Sequence, residues 1–359
     1  MDSITATDTL AQLISYTMEL CKSQGIKFEQ NGKNNHGPFA RGAPYGAINH
    51  YTAAPASVTK KRPLGRIPVL LNRFARGSKQ RVGVQFIVWD SRVPAFDELR
   101  AKYPLLEDMP CEVFFFGDDL AFWHAGWVNR WCYGIEIRNV GQLVKRRGIY
   151  YWSHGQNRYH GREPIKVGNS YWEPYTYEQM KATLWIHRLM ATIYQIDPVW
   201  FLSHTHVTNT RIDAGKHFPI HEMRAAALLE DKDTPLDEVK FLKEFTPEGY
   251  TQRPDDPLIS EDSLHRGLYR DDWDGAPEPD DIREGKSFDA SDGLKDEFTQ
   301  LGYYYDPDPE KLADLISMFQ TRWKKRVNGR WKQEIPITGQ MNEITEQKLK
   351  QMLRWWNSL

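Results

Sequence analysis

The segment FLSHTHVTNTRIDAGKHF, residues 201–218, concentrates side chains that bind metal ions. It places His204 and His206 two residues apart, and Asp213 follows nine residues after His204. Imidazole nitrogens and carboxylate oxygens are common zinc ligands, and a catalytic zinc site combines three such ligands with an open position for water. The segment therefore offers part of a zinc site, and a missing ligand must come from elsewhere in the chain.

A further donor is His50, where the short buried strand predicted in GAINHYTA ends. His204 is the last residue of a second predicted strand, VWFLSH, and Asp213 stands in a tight DAG turn. A lone histidine is usually a structural polar residue, so the prediction of a metal site depends on this combination. An alternative places His204 and His206 together on the metal, since residues i and i+2 share one face of a strand. That alternative leaves Asp213 without a role.

Short apolar strands alternate with helices around these residues, an order that predicts an α/β fold over residues 28–228. Further strands are predicted at 82–90 and in the stretches CEVFFFG and WCYGIEIRN. After Pro174 the stretch EPYTYEQMKATLWIHRLMATIYQI predicts a long amphipathic helix, with Thr176 and Gln179 at capping-box spacing.

The two ends of the chain differ from this middle part. Residues 1–27 predict a first helix from about Thr9 to Lys22, which Asp8 could cap. Residues 229–292 are rich in Asp, Glu, Pro and Gly and predict a linker without a core of its own. In 293–359 apolar residues recur at helical spacing, which predicts a small all-α module.

The overall composition excludes several classes of protein. The chain has 47 Lys and Arg against 48 Asp and Glu, so bulk charge does not make it a nucleic-acid binder. No stretch approaches the roughly 20 apolar residues that span a bilayer, which excludes membrane insertion. The start, MDSITATDTL, lacks the positive charge and apolar core of a signal peptide, so we expect a soluble protein made in the cytoplasm. The three cysteines are expected to be free, buried thiols.

Four segments resemble, in the same order, the motifs of the zinc-dependent N-acetylmuramoyl-L-alanine amidases of type 2. This superfamily includes peptidoglycan-recognition proteins and many phage endolysins. INHYTA is similar to the family's first ligand motif, and AFWHAGWVNRWCYGIEIRN to its WHAG…N…S-I-G-I-E-L-x-N segment. EPYTYEQ is similar to its Pro-Tyr-Thr-x-x-Gln helix start, and SHTHVTNTRIDAGKHF to its closing motif. The resemblance implies a central mixed β-sheet flanked by helices.

The resemblance also implies which residues bind the metal. It makes His50, His204 and Asp213 the zinc ligands, and it leaves His206 beside the site, where the family usually has Asp. It places a cation two residues before the last ligand, where this chain has Arg211 and the family more often has Lys. A fixed guanidinium there would stabilise an oxyanion, although a surface arginine near a turn remains an alternative.

The general base differs between members of the family, some of which use a tyrosine on the second strand and others a glutamate. This chain has Val84 at the tyrosine position and carries Glu136 in YGIEI, so the resemblance implies the glutamate type. A glutamate inside an apolar strand is costly without a partner, which favours a functional role, but an outward-facing glutamate is the alternative. His124 of WHAG is implied as a substrate contact, and Asn129 as a second one. Histidines 154, 160, 187 and 217 carry no motif and are expected to be structural or surface groups.

The implied reaction is zinc-dependent hydrolysis of the amide that joins N-acetylmuramic acid to L-alanine in peptidoglycan. Residues 293–359 resemble the helical peptidoglycan-binding module that often accompanies such amidases. A monomeric, phage-endolysin-like enzyme that reaches the cell wall after release is therefore expected. Two alternatives remain, a non-catalytic peptidoglycan-binding protein of the same fold and a cytosolic amidase that recycles muropeptides. The basic segment 60–81 predicts either a contact with anionic wall groups or a solvated loop.

Overall fold

The computed structural model describes residues 3–28, 35–55, 64–76, 83–153, 157–208, 211–228, 292–303, 309–327 and 330–358. Its helices are α1 (Ser3–Ser23), α2 (Ile67–Arg76), α3 (Asp97–Arg100), α4 (Tyr177–Tyr194), α5 (His204–Val207), α6 (Ile220–Leu228), α7 (Asp292–Gln300), α8 (Pro309–Thr321) and α9 (Glu343–Ser358). Its strands are β1 (Asn35–Gly37), β2 (Gly46–Tyr51), β3 (Phe86–Val88), β4 (Val113–Phe115), β5 (Ala121–Phe122), β6 (Cys132–Ile137), β7 (Gln142–Arg146), β8 (Ile149–Trp152), β9 (Ile165–Val167), β10 (Ser170–Trp172), β11 (Phe201–Ser203), β12 (Lys324–Val327) and β13 (Arg330–Gln333).

The central sheet has five strands in the order β11-β2-β6-β3-β4. The first four run parallel to one another, and β4 pairs antiparallel with β3 at the edge. This mixed sheet confirms the α/β fold class predicted from the alternation of strands and helices. The parallel register places His50 opposite Glu136, and it aligns Asn49 with Ser203, the residue before His204. The carboxyl ends of β2, β6 and β11 therefore bring three of the predicted site residues to one edge.

Side chains alternate between the two faces of this sheet, and the two faces pack against different parts of the chain. On one face, Ala47 and Phe201 join the core cluster that contains the apolar residues of α1 and α4. On the other face, Ile48 and Leu202 join a cluster with Phe298 of the C-terminal region. Alternation places His50 on this second face, two residues beyond Ile48, so the site lies on the side that the C-terminal region covers.

Helices α1 and α4 form the layer on the first face. The capping box predicted for α4 is present, because the Thr176 hydroxyl accepts from the Gln179 amide and the Gln179 side chain accepts from the Thr176 amide. Helix α1 begins at Ser3, so Asp8 lies inside the helix and the cap predicted there is wrong.

The segment between β6 and α4 contains a second, four-stranded antiparallel sheet in the order β8-β7-β10-β9. These strands were not predicted from the sequence. The basic segment 60–81 is described at 64–76, where α2 packs Leu71 and Phe74 into the core and leaves Val69 exposed.

The C-terminal region contains α7, α8 and α9, as the helical periodicity predicted, and a β12–β13 hairpin that it did not predict. This region packs directly on α5 and α6. Arg224 of α6 donates to the Gly302 carbonyl at 2.7 Å, and Tyr303 donates to the His206 carbonyl at 3.0 Å. The predicted linker at 229–292 lies, apart from its last residue, outside the described residues. Among the helices that are described, none is long and apolar enough to cross a membrane.

Candidate metal centre

Three donor atoms meet at the carboxyl edge of the central sheet. His50 Nδ1 lies 2.9 Å from Asp213 Oδ2 and 3.1 Å from His204 Nδ1, and His204 Nδ1 lies 3.0 Å from Asp213 Oδ2. Tetrahedral ligands with bonds of about 2.05 Å are about 3.3 Å apart, so these separations are close to those of ligands around one zinc ion. His50 and His204 are buried, and Asp213 is partly buried. The donor set therefore fits a small divalent cation such as zinc.

The elements around each donor explain why the three meet. His50 is held in β2, and His204 is the first residue of α5, directly after β11. Asp213 comes from the loop after α5, and its carbonyl accepts a hydrogen bond from the Thr205 amide at 3.0 Å. The next residue of the loop is also fixed, because the Tyr175 hydroxyl donates to the Ala214 carbonyl at 2.7 Å.

The protonation states of two donors suit a cation. Burial lowers the pKa of His204 to about 4, so its imidazole is neutral at pH 7 and offers a lone pair. Burial by itself raises the pKa of Asp213, but the charges and hydrogen bonds of His204 and His50 outweigh it and hold the pKa well below its usual value. A neutral imidazole and an ionised carboxylate are the forms that bind a metal.

Glu136 lies next to this cluster on the neighbouring strand. Its backbone pairs with that of His50, so both side chains leave the sheet on the same face. Its Oε2 atom is buried and has no hydrogen-bond partner among the residues that the structure describes. Burial raises the pKa of this carboxyl, and the Asp213 carboxylate adds to that effect, whereas the charges of His50, Arg73 and Arg211 oppose it. A carboxyl of this kind, unpaired and with a raised pKa, is typical of a general base.

Arg211 is half-buried on the loop between His204 and Asp213. Its charge lowers the pKa values of Glu136 and His204, which places the guanidinium in the electrostatic surroundings of the donors. A second cation, Arg73 of α2, also acts on Glu136, and its role was not predicted from the sequence. The basic composition of the segment 60–81 was the only signal for it.

His206 does not face the cluster. Its Nδ1 accepts from the Ser203 amide at 2.7 Å, and its Nε2 donates to the Leu301 carbonyl at 3.1 Å. Both ring nitrogens are therefore used by the protein, as expected for a histidine beside the site. The three-histidine alternative is not supported, because His206 has no nitrogen left for a metal.

The two residues implied as substrate contacts lie next to the cluster. His124 Nδ1 lies 3.1 Å from His50 Nε2, and His124 Nε2 lies 3.0 Å from the Cys132 carbonyl oxygen. Asn129 is 2% exposed, and its side-chain oxygen accepts from the amides of His124 and Ala125 at 2.9 and 2.7 Å. The contacts seen for both residues are made within the protein, and contact with a substrate stays a prediction.

The described histidines without a motif, at 160, 187 and 217, agree with a structural or surface role. His187 is fully buried, where its ring contacts the Tyr133 hydroxyl at 2.7 Å and the Asn49 side chain at 3.2 Å. His217 is also fully buried and stacks on Tyr175, with ring centroids 4.7 Å apart. Residue 160 is exposed, and residue 154 lies outside the described residues.

The sequence matches no protein-family profile and no curated protein. Among solved structures, the chain is similar to the N-acetylmuramyl-L-alanine amidase AmiD from E. coli, solved with anhydro-N-acetylmuramic acid-L-Ala-D-gamma-Glu-L-Lys. The identity is 16%, the TM-score is 0.36, and the alignment covers 89% of this chain and 92% of that one. It is also similar to AmpDh3 from Pseudomonas aeruginosa in complex with anhydromuramic pentapeptide. Here the identity is 15%, the TM-score is 0.34, and the alignment covers 86% of this chain and 90% of that one. Likenesses of this degree do not place the chain in a family.

Proposed function

We propose that this protein is a zinc-dependent N-acetylmuramoyl-L-alanine amidase. The observation that carries the proposal is the group of three donors, His50, His204 and Asp213, whose ligand atoms lie 2.9–3.1 Å apart beside the unpaired carboxyl of Glu136. This combination of two imidazoles, one carboxylate and an adjacent general base is typical of zinc hydrolases. The four sequence motifs direct the proposal to the amide between the lactyl group of N-acetylmuramic acid and L-alanine.

The residues of the site have distinct tasks in this reaction. A zinc ion held by the three donors would polarise the scissile carbonyl and lower the pKa of a water molecule towards about 7. Glu136 accepts the proton of the attacking water and passes it to the leaving amine of L-alanine. Arg211 places a permanent positive charge where negative charge develops on the carbonyl oxygen. His124 and Asn129 line the same edge, where the sequence motifs imply contacts with the substrate.

The reaction is tested on purified peptidoglycan with the full-length protein loaded with zinc. We expect the release of stem peptides with a free L-alanine amino terminus, detected by mass spectrometry. A chelator should stop the release and added zinc should restore it. The matched control is Glu136→Gln, which keeps the size of the side chain and should bind zinc without cutting. If the zinc-loaded wild-type protein binds peptidoglycan but leaves it uncut, the chain is the non-catalytic binding protein instead.

We further propose that the substrate is the intact wall and that the protein acts as an endolysin, made in the cytoplasm and released to the wall. The resemblance of residues 293–359 to peptidoglycan-binding modules supports this, because an enzyme of soluble fragments has no need to hold the polymer. Parallel assays on intact sacculi and on soluble anhydro-muropeptides separate the two roles. Faster cleavage of sacculi is the expected result, and a strong preference for the soluble fragments would indicate the recycling amidase.

A further inference from the structure

His124 lies behind His50, on the side away from the other metal donors. Each ring nitrogen of His50 has a different neighbour. Nδ1 faces His204 and Asp213, whereas Nε2 lies 3.1 Å from Nδ1 of His124. The two rings are nearly perpendicular, at 89°, with centroids 5.3 Å apart. The interaction is therefore an edge contact between nitrogens rather than a stacking of the rings.

We infer that His124 is a positioning residue that fixes the tautomer of His50, so that Nδ1 of His50 is the unprotonated nitrogen that faces the metal. The inference rests on the metal site of the proposed function and assigns a role that differs from a substrate contact. The positions of the ring protons follow from the hydrogen-bond donors and acceptors that link Cys132 of β6, His124 and His50.

The first step is the contact between His124 and Cys132. The Cys132 carbonyl oxygen, 3.0 Å from His124 Nε2, can only accept a hydrogen bond, so His124 Nε2 must carry the proton. In the neutral imidazole the other nitrogen is then an acceptor. His124 Nδ1 therefore accepts from His50 Nε2, which must carry the proton in turn. The proton of His50 is thus held on Nε2, which leaves Nδ1 as the nitrogen that can bind a metal. Without a metal, Nδ1 can share a proton with Asp213 Oδ2, 2.9 Å away, and that proton is released when the metal binds.

The position of His124 is itself held by the surrounding structure. The Asn129 side-chain oxygen accepts from the His124 amide, which fixes the loop that carries the ring. Beneath the ring, Gly134 of β6 provides the necessary space. A Cβ atom at Gly134 would lie 3.0 Å from Cγ and Nδ1 of His124, so a larger residue there would press on the ring. These contacts keep the His124 ring within reach of both the Cys132 carbonyl and His50.

Fixing the tautomer has a direct consequence for metal affinity. A free imidazole divides between two tautomers, and a site that needs one of them must exclude the other. Residues that hold the second nitrogen of a ligand histidine typically contribute about 10–100-fold to metal affinity. His124 would act in this way through its contact with His50.

The proton positions can be measured directly in the zinc-loaded, full-length protein labelled with ¹⁵N-histidine. Long-range ¹H–¹⁵N correlation spectra distinguish protonated from unprotonated ring nitrogens, and His50→Gln and His124→Gln variants assign the two signals. We expect both His50 and His124 to carry their protons on Nε2. A proton on Nδ1 of either ring would overturn the inference.

Two substitutions at His124 test the effect on metal binding. His124→Leu removes both the acceptor and the donor, whereas His124→Gln retains one of each in a planar amide. Competition with a chromogenic chelator should show zinc binding weakened about 10–100-fold in the leucine variant and largely restored in the glutamine variant. His160→Leu, at an exposed position, is the matched control and should bind zinc as the wild type does.

The inference fails if His124→Leu binds zinc as tightly as the wild type and keeps the His50 proton on Nε2. It also fails if the glutamine variant is as weak as the leucine variant. These readouts do not involve peptidoglycan. A protein that shows the expected tautomers and zinc affinities but cuts no peptidoglycan would refute the proposed function and leave the role of His124 intact.

Discussion

His204 and His206 lie on the same four-residue helix and are both almost fully buried, yet they face two different regions of the molecule. His204 belongs to a group that we call the metal edge, which consists of His50, His204, Asp213 and Glu136. His206 faces the C-terminal interface, where its two ring nitrogens bind the Ser203 amide and the Leu301 carbonyl. Residue type and burial are the same for both histidines. The difference is that the protein satisfies both nitrogens of one ring, whereas Nδ1 of the other converges with two further metal donors.

This contrast extends to the neighbours of each histidine. At the C-terminal interface, Arg224 donates to the carbonyls of Phe201 and Gly302, and Arg322 donates to the Thr208 carbonyl. These buried cations donate to backbone oxygens, although Arg322 Nε has no partner among the described residues. At the metal edge, Glu136 Oε2 has no partner among the described residues either, but it lies on the strand beside three convergent donor atoms. A buried carboxyl in such a place is a candidate for chemistry.

The largest effect is expected from His204→Ala, which removes one donor of the metal edge. Zinc affinity should fall by more than about 100-fold, because removing a ligand weakens binding more than removing a residue that only contacts a ligand. Amidase activity should fall below detection. Isothermal titration with zinc and the peptide-release assay measure the two effects. Retained zinc binding in this variant would show that the metal edge has been placed wrongly.

Glu136→Gln separates metal binding from catalysis within the same region. The amide keeps the shape of the side chain but cannot accept a proton, so kcat should fall about 100- to 10,000-fold. Zinc affinity should stay near that of the wild type, since Glu136 is not among the three convergent donors. A variant that retains full activity would assign the proton transfer to another group.

Arg211→Ala tests the cation of the metal edge. If the guanidinium stabilises an oxyanion, kcat should decrease about 100- to 1,000-fold with little change in zinc affinity. Arg211→Lys, which restores the charge and introduces the residue more usual in the resembled family, should recover most of the rate. Unchanged kinetics in the alanine variant would assign Arg211 to the solvated surface.

His206→Ala should affect stability and leave the metal in place. The change leaves the Leu301 carbonyl and the Ser203 amide unsatisfied, which should lower the free energy of unfolding by about 1–3 kcal/mol. Urea denaturation of the zinc-free protein measures this loss, and zinc titration provides the control. If the variant fails to bind zinc although it is folded, His206 belongs to the metal edge after all.

The same histidine gives a smaller effect that depends on pH. Burial holds the pKa of His206 well below its usual value of about 6.5, so the unfolded chain binds a proton that the folded chain does not. This contribution to stability is present above about pH 6.5 and is lost as the pH falls below it. The wild type should therefore lose stability more steeply between pH 6.5 and 5 than His206→Ala, as denaturation at several pH values would show.

The residues of the metal edge were easier to predict from the sequence than the contacts that hold them in place. The strand patterns around His50 and His204 and the motif order were sufficient to select three residues whose donor atoms converge. That these residues, and not His206, bind a metal stays a prediction. The links from Cys132 through His124 to His50 were not predictable, because they join a backbone carbonyl and two rings that only the folded register brings together. The first turn of α1, before Asp8, was missed for a related reason. Ala6 in this turn is buried against the core, and that burial depends on tertiary packing rather than on a local cap.

The C-terminal interface was also not foreseen. Helical periodicity in residues 293–359 indicated apolar faces but not what would cover them. In the structure these faces share a core with Ile48 and Leu202 of the central sheet, directly beneath the metal edge. The strands of the hairpin β12–β13 are the stretches KKRV and RWKQ, which contain one apolar residue each, too few to predict a sheet.

The most direct test of this account is the position of the metal in crystals of the zinc-loaded protein, located by anomalous scattering at the zinc edge. The account predicts one anomalous peak about 2.0–2.2 Å from His50 Nδ1, His204 Nδ1 and Asp213 Oδ2. A peak beside His206, or bonding through Nε2 of His50, would contradict it.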